Sequence, residues 1–347
     1  MTKKNKEYWR ERFEQLEKAS HQNAQSTYSQ IEDTFFQAQK EIENKINSWY
    51  RRFANNNKIT MTEAKRLLNS NEIKEFKWDV QEYIKYGREN KLNGNWIKEL
   101  ENASARFHIS RLEALKIQTQ QSLEKLFGNE LDEVDKMVSN SYTDNYYHTM
   151  FEMQKGFNVG FRIGTINENK LSKIVNRPWA VDGKNFSERI WGKKTTLINE
   201  LHKQLTSMCI QGKAPDNVIK YMAKKFNVTK AQAGNLVMTE NAYFSELARK
   251  DCFKDLDVEQ YEIVATLDLH TSEICQEQDG KKYNMKDYET GVTAPPFHNY
   301  CRSTTAPYFD DDYDITDTRI ARDEDGETYE VPADINYRRM ESKIRDK

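Results

Sequence analysis

Apolar residues in the first 55 positions recur on a helical period, and this limits what such a chain can fold into more than any other feature. Trp9, Phe13 and Leu16, then Ile31, Phe35, Ile42, Ile46, Trp49, Tyr50 and Phe53, are separated mainly by steps of three, four and seven. Those steps place the side chains on one face of an α-helix, and Glu and Lys fill the other faces. The run Asn55-Asn56-Asn57 predicts the end of that helix. Thr60 and Glu63 have the spacing of a capping box and predict the next start. Further helices are expected over 62–70, 72–91, 95–127 and 131–158, with breaks near Gly87, Gly94 and Gly128. Only 13 glycines and 6 prolines occur in 347 residues, which disfavours a turn-rich β fold. With 31% charged against 37% hydrophobic residues, long polar helices suit the chain better than one thick globule.

The aromatic and Met stripe Tyr142, Tyr146, Tyr147, His148, Met150, Phe151 and Met153 reads as a helix packed on several sides, with His148 a core histidine. Residues 175–192, with Pro178 and Asp182-Gly183, read as a connector leading into a helix start at Glu188. Helix resumes from about 193 to 250, with loops expected near 212–215 and 227–229. Glu240 lies in this stretch and reads as a surface or salt-bridged glutamate rather than a catalyst. The pattern changes near 257. Residues 260–267 alternate and are rich in β-branched side chains, which predicts a strand. Asp279-Gly280 suits a type I′ hairpin turn, and 303–309 predicts a last strand. The fold class is therefore mainly α with a small α+β C-terminal module. It divides into an N-terminal amphipathic helical region (1–130), a central helical region (131–256), a β-rich module (257–309) and an acidic tail (310–347).

Charge is polarised along the chain. Residues 1–250 hold 41 Lys and Arg against 31 Asp and Glu, while 251–347 hold 12 against 24. A surplus of ten spread over 250 residues is a weak field, so non-specific contact with double-stranded DNA is allowed but not demanded. No run of about 18 apolar residues occurs, so no membrane anchor is expected and synthesis in a cytoplasm is. Four cysteines, Cys209, Cys252, Cys275 and Cys301, are too few for a disulfide scaffold in a chain of this length.

Chemistry-bearing residues concentrate between 268 and 303. In order they are Asp268, Thr271-Ser-Glu-Ile-Cys275, Asp279-Gly280 and Pro295-Pro296-Phe-His298-Asn-Tyr-Cys301-Arg302-Ser. Cys275, His298 and Cys301 offer two thiolates and an imidazole, three-quarters of a tetrahedral zinc site, with Asp268, His270, Asp279 or water as the fourth donor. The other reading is a turn packed by small polar residues, with His298 hydrogen-bonded to a carboxylate such as Asp268. The sequence favours this second reading, on which no cofactor is expected.

This ordered set resembles the phage Mu F-like head morphogenesis family, the minor head (minor capsid) proteins of tailed bacteriophages. Pro178-Trp179, Asp182-Gly183, Phe186-Ser-x-Arg-Ile-Trp191 and Thr239-Glu240 resemble its central region, so the likeness spans about 130–309. Within the family pattern Asp279, Gly280, Pro295, Pro296 and Arg302 are structural positions. Many members carry cysteine where this chain has Ser272 and Ser303. The resemblance implies a non-enzymatic virion protein inside the phage head. It would be associated with the portal, scaffold or major capsid protein, packaged with the DNA and involved in genome ejection. The competing class is a metal-dependent, nuclease-like enzyme built on Cys275, His298 and Cys301.

Overall fold

The computed structural model describes residues 6–57, 111–158, 166–211, 215–309, 318–322 and 328–332. The helices expected over 62–70 and 72–91, and the capping box at Thr60, lie outside these residues. Helix α1 (Lys6–Asn57) follows directly from its sequence, for 52 residues contain neither Gly nor Pro. Its buried positions include Trp9, Phe13, Ile31, Phe35, Ile42 and Ile46 of the predicted stripe, joined by Ala24 and Ala38; the side chains of Trp49, Tyr50 and Phe53 lie outside those described.

Helix α2 (Arg111–Phe157) runs through Gly128, where a break was expected. A glycine inside a helix costs about 1 kcal/mol relative to alanine. Here Leu126 and Phe127 before it, and Glu130 and Val134 after it, are all buried on the helix, and that burial outweighs the local penalty. The helix stops at Asn158, whose φ of 53° is the left-handed conformation that asparagine tolerates better than most residues. The aromatic stripe divides: Tyr142, Tyr146, Met150 and Met153 are buried, whereas His148 is exposed and Phe151 is 56% exposed. His148 is thus not the core histidine the sequence suggested, because it falls on the opposite side of the helix from Tyr142 and Tyr146.

Helix α3 (Glu168–Val175) is capped by Asn167, whose side chain accepts from Lys170 N at 2.7 Å. Helix α4 (Phe186–Gln211) opens on a reciprocal capping box. Glu188 N donates to Asn185 Oδ1 (2.9 Å), and Asn185 N donates to Glu188 Oε2 (3.0 Å). Helix α5 (Pro215–Asp255) begins with proline at its first position. It continues through 227–229, where a loop was expected. Phe226 is buried, and the Thr229 hydroxyl bonds back to Lys225 O (2.9 Å) instead of breaking the ladder.

The C-terminal part contains β1 (Gln260–Val264), the short helix α6 (Glu273–Gln278), β2 (Lys282–Asn284) and β3 (Thr304–Tyr308). β1 is central in an antiparallel sheet of order β2-β1-β3, with Tyr261 opposite Tyr283 on one side and Pro307 on the other. Pro307 thus lies on an edge strand, where the missing N–H is tolerated. A further antiparallel pair, β4 (Thr318–Arg322) and β5 (Thr328–Pro332), lies in the segment read as an acidic tail. Asp279-Gly280 joins α6 to β2 and not two strands. Asp279 has φ −56° and ψ 128°, Gly280 has φ +76°, and Lys281 N donates to Gln278 O at 3.0 Å. That is a type II turn, which needs glycine third, in place of the expected type I′ hairpin.

The described residues fall into two compact units, one within 1–28, 134–178 and 234–347, the other within 29–133 and 179–233. In the second unit Phe35 makes edge-to-face contacts with Phe127 (6.1 Å) and Phe226 (6.3 Å). Its buried Glu124 is paired with Lys194 (3.0 Å), which also lies over the Trp191 ring.

The first unit has an apolar core of Trp9, Phe13, Met153, Phe253, Val258, Tyr261, Ile263, Val264 and Ala306. Beside it runs a buried polar seam. The Ser245 hydroxyl meets those of Ser20 (2.6 Å) and Ser141 (2.8 Å), and both of these serines donate to Asn241 Oδ1. Arg249, fully buried, bonds Asn145 Oδ1 (3.0 Å), Glu17 Oε2 (3.2 Å) and Glu246. Glu246 in turn accepts from Thr304 Oγ1 and Thr305 Oγ1, both at 2.8 Å, which ties β3 to α5. Glu262 on β1 pairs with Arg10 and with Lys6 (3.0 Å) of α1.

Two stability predictions follow from this packing. A Cβ on Gly156 would sit 2.2 Å from the Trp9 ring, whereas one on Gly192 would meet nothing within 4 Å. Both glycines are helical, so alanine gains about 1 kcal/mol of propensity at either site. Overpacking a core costs typically about 1–3 kcal/mol, so Gly156→Ala should lower stability and Gly192→Ala should raise it in urea unfolding. The second concerns pH. Burial pushes the Glu17 carboxyl up to about 7, against the pull of Arg249 and with the added repulsion of Glu246. Its contribution is complete below the ordinary glutamate range and is lost as pH rises through about 7. Unfolding free energies at pH 5 and pH 8 should differ by up to about 3 kcal/mol more in the wild type than in Glu17→Gln.

Candidate metal centre

Local sequence sets each part of the centre. Ser272 caps α6, its hydroxyl accepting from Cys275 N at 3.4 Å, and so presents Cys275 in the first turn. Asp279 accepts from Ala265 N (2.9 Å), and Gly280 N donates to Ile263 O (2.8 Å), so the turn after α6 is fastened to the end of β1. Pro295 and Pro296, joined by a cis bond and both buried, lead the chain back toward α6. His298 to Cys301 then form a second turn, closed by Cys301 N to His298 O at 3.3 Å, with Tyr300 third at φ +60°. The His-x-x-Cys spacing is therefore the two ends of one turn. Tyr300 is an unusual occupant of that conformation. Its N–H donates to Thr239 Oγ1 of α5 (3.3 Å), which helps hold the turn in place.

These elements bring Cys275, His298 and Cys301 together. Cys275 Sγ is 3.1 Å from His298 Nε2 and 3.7 Å from Cys301 Sγ, and all three donor atoms lie within 4.8 Å of one another. Both thiols are 2% exposed, set among Ala265 and Phe297, while His298 is half-buried. His298 Nδ1 lies 2.6 Å from Asn299 O, so the ring takes its orientation from a backbone carbonyl and not from a carboxylate. The Cys275 thiol is pushed well up by its hydrogen bond to Cys301 and then by burial. Cys301 is held below the ordinary thiol range by that same hydrogen bond and by backbone bonds from Phe297 and Ser303, against burial.

Asp268, named with these three from sequence, is engaged elsewhere. Its carboxylate is gripped by both ends of the Arg302 guanidinium, Oδ1 by Nη2 at 2.7 Å and Oδ2 by Nη1, and it also accepts from His270 N (2.9 Å) and the Thr271 hydroxyl (3.2 Å). Burial alone would push this carboxyl up, but the Arg302 fork and the two smaller donors hold it below the ordinary aspartate range. Its site is thus a staple between the segment after β1 and the segment before β3. Neither the Asn299 carbonyl nor Thr239 was visible as a site component from sequence. A backbone acceptor leaves no residue signature, and Thr239 is 61 positions from Tyr300. The Ser303 hydroxyl hydrogen-bonds to both sulfurs, which opposes the rise at Cys275 and helps to hold Cys301 low.

Arg302 is 24% exposed and Asp268 7%, so the staple is only partly screened by water. Arg302→Ala should destabilise the first unit by about 1–3 kcal/mol in denaturant unfolding, by leaving a largely buried carboxylate without its cation. Arg302→Lys should recover less than half of that loss, because an ammonium cannot make the two-pronged contact.

Comparison with protein families finds the phage Mu protein F like family over residues 199–306. No curated protein and no solved structure matches the chain. The matched stretch starts inside α4, passes through α5, β1, α6 and β2, and ends in β3, so it contains Cys275, Asp279, Gly280, His298, Cys301 and Arg302. Residues 199–306 thus match the phage Mu protein F like family, in agreement with the likeness carried by the ordered motifs from Asp268 to Arg302.

Proposed function

We propose that the protein is a minor head protein of a tailed phage, working as a structural component of the head. It would be made in the bacterial cytoplasm, recruited during procapsid assembly and retained in the virion close to the portal. Its partners would be the portal, scaffold or major capsid protein, and it would travel with the packaged DNA and take part in genome ejection. The observation that carries this reading is the family match over residues 199–306, which takes in most of the C-terminal module. The rest of the molecule is consistent with it. Long helices with charged outer faces offer extended surfaces for partners, and among the described residues no helix is long and apolar enough to cross a membrane. Lys and Arg outnumber Asp and Glu over residues 1–250, so weak, salt-sensitive contact with DNA fits the helical body.

The nuclease-like alternative draws on the Cys275, His298 and Cys301 cluster. Against it, the carboxylate proposed to work with them is committed to Arg302, and His298 leans on a main-chain carbonyl. The imidazole is therefore oriented by a neutral carbonyl, with no carboxylate behind it to stabilise an imidazolium as in a nucleophilic triad.

Co-expression with the portal and scaffold proteins of the same phage genome tests the proposal. The protein should co-sediment with portal-containing procapsids, and phage lacking it should yield defective or non-infectious heads. Normal heads and full infectivity without the protein would overturn the structural role. Cutting of plasmid DNA by the pure protein with divalent metals, abolished in His298→Ala, would establish the nuclease reading in its place.

A further inference from the structure

We propose that Cys275, His298 and Cys301 bind one zinc ion as a structural tie, with the fourth position on the side of Ser303 and filled by its hydroxyl or by a water held there. Zn–S bonds of about 2.3 Å at tetrahedral angles place two sulfurs about 3.8 Å apart, and a Zn–N bond of about 2.0 Å places nitrogen about 3.5 Å from sulfur. Cys275 and Cys301 are already 3.7 Å apart, far outside the roughly 2.05 Å of a disulfide. The Cys275 to His298 edge, at 3.1 Å, opens slightly on binding, and the remaining edge lies within 4.8 Å. The ion fits after sub-ångström to ångström shifts of side chains, with no rearrangement of α6 or β3.

The surroundings match the chemistry of the ion. Two sulfurs and an imidazole favour zinc over the oxygen-seeking Mg²⁺ and Ca²⁺. A proton on His298 Nδ1 is donated as a hydrogen bond to the Asn299 carbonyl, which leaves the Nε2 lone pair facing Cys275. Binding converts two thiols to thiolates and releases two protons to solvent, while His298 stays neutral. The buried, mostly apolar setting of Ala265 and Phe297 then encloses an ion whose charge is neutralised by the two thiolates. Asp268 is not a ligand: its two oxygens belong to Arg302. The tie would link α6 to the turn that leads into β3, two segments otherwise joined by 22 intervening residues between Cys275 and His298.

Zinc titration of the reduced, chelator-free full chain, read against a chromophoric zinc chelator, tests this directly. One equivalent should bind, the affinity should fall with decreasing pH as two protons compete, and cobalt loading should give a thiolate-to-metal charge-transfer band of a tetrahedral site. Cys275→Ser and His298→Ala should each weaken binding at least about 100-fold. Ser303→Cys, which keeps all three wild-type donors and so does not depend on a truncated variant folding, should tighten it about tenfold or more by supplying a third thiolate. A wild-type chain that is folded by circular dichroism yet binds no zinc, or binding unchanged in both Cys275→Ser and His298→Ala, would overturn the proposal. Binding that is lost in those two variants but not strengthened in Ser303→Cys would overturn the placement of the fourth position.

Discussion

The guanidinium of Arg249 is buried among helices, and much of the first unit is arranged to make that tolerable. An unpaired charge in such a place would cost several kcal/mol, so the fold surrounds it with Glu246, Glu17 and the Asn145 side-chain oxygen. Those three groups come from α5, α1 and α2, and they can reach one guanidinium only when the helices sit in one register. Ser20, Ser141, Ser245 and Asn241 extend the same constraint along the seam, because small hydroxyls allow close approach and are satisfied by one another and by the Asn241 and Asn145 side chains. An apolar core of equal volume could be as stable. The polar seam adds a requirement that incorrect helix registers fail to meet.

The β module takes its position from the same seam. Glu246 spends one oxygen on Thr304 and the other on Thr305, so the start of β3 is fastened to the helix that carries Arg249. Arg10 and Lys6 fasten β1 through Glu262 in the same manner. Cys301, Arg302 and Ser303 immediately precede β3, and Thr239 of α5 receives the Tyr300 N–H. The cluster of two thiols and an imidazole is thus placed by charges and hydroxyls in the helical body as much as by its own turns.

Much of this was legible one segment at a time. The Trp9 to Ile46 stripe announced α1, the residues around 260–264 and 304–308 announced strands, and Cys275, His298 and Cys301 stood out as a set of donors. Errors arose where local preference met tertiary burial. Gly128 and the Asn227 to Thr229 stretch look like breaks, but Phe127 and Phe226 are each buried beside them and carry the helix through. His148 lies in an aromatic stretch yet faces solvent, since the stripe is narrower than its composition suggests. Asp279-Gly280 has the composition of a hairpin, and the helix α6 before it changes the turn type that glycine serves.

The sequence by itself determined the helical character of the body, the change to strands near residue 260 and the likeness of the C-terminal module to the Mu F-like family, because these depend on period, propensity and ordered short motifs. It also supplied the donor set Cys275, His298 and Cys301. Which groups share that site was decided only in three dimensions. Asp268 stands close enough in sequence to be taken for a ligand, but Arg302, 34 positions away, holds both its oxygens. The His298 ring is set by a main-chain carbonyl that every residue possesses, so no side chain marks it. The reason is general: a motif fixes which chemical groups are available, whereas competition among partners for each hydrogen bond and charge is settled by packing.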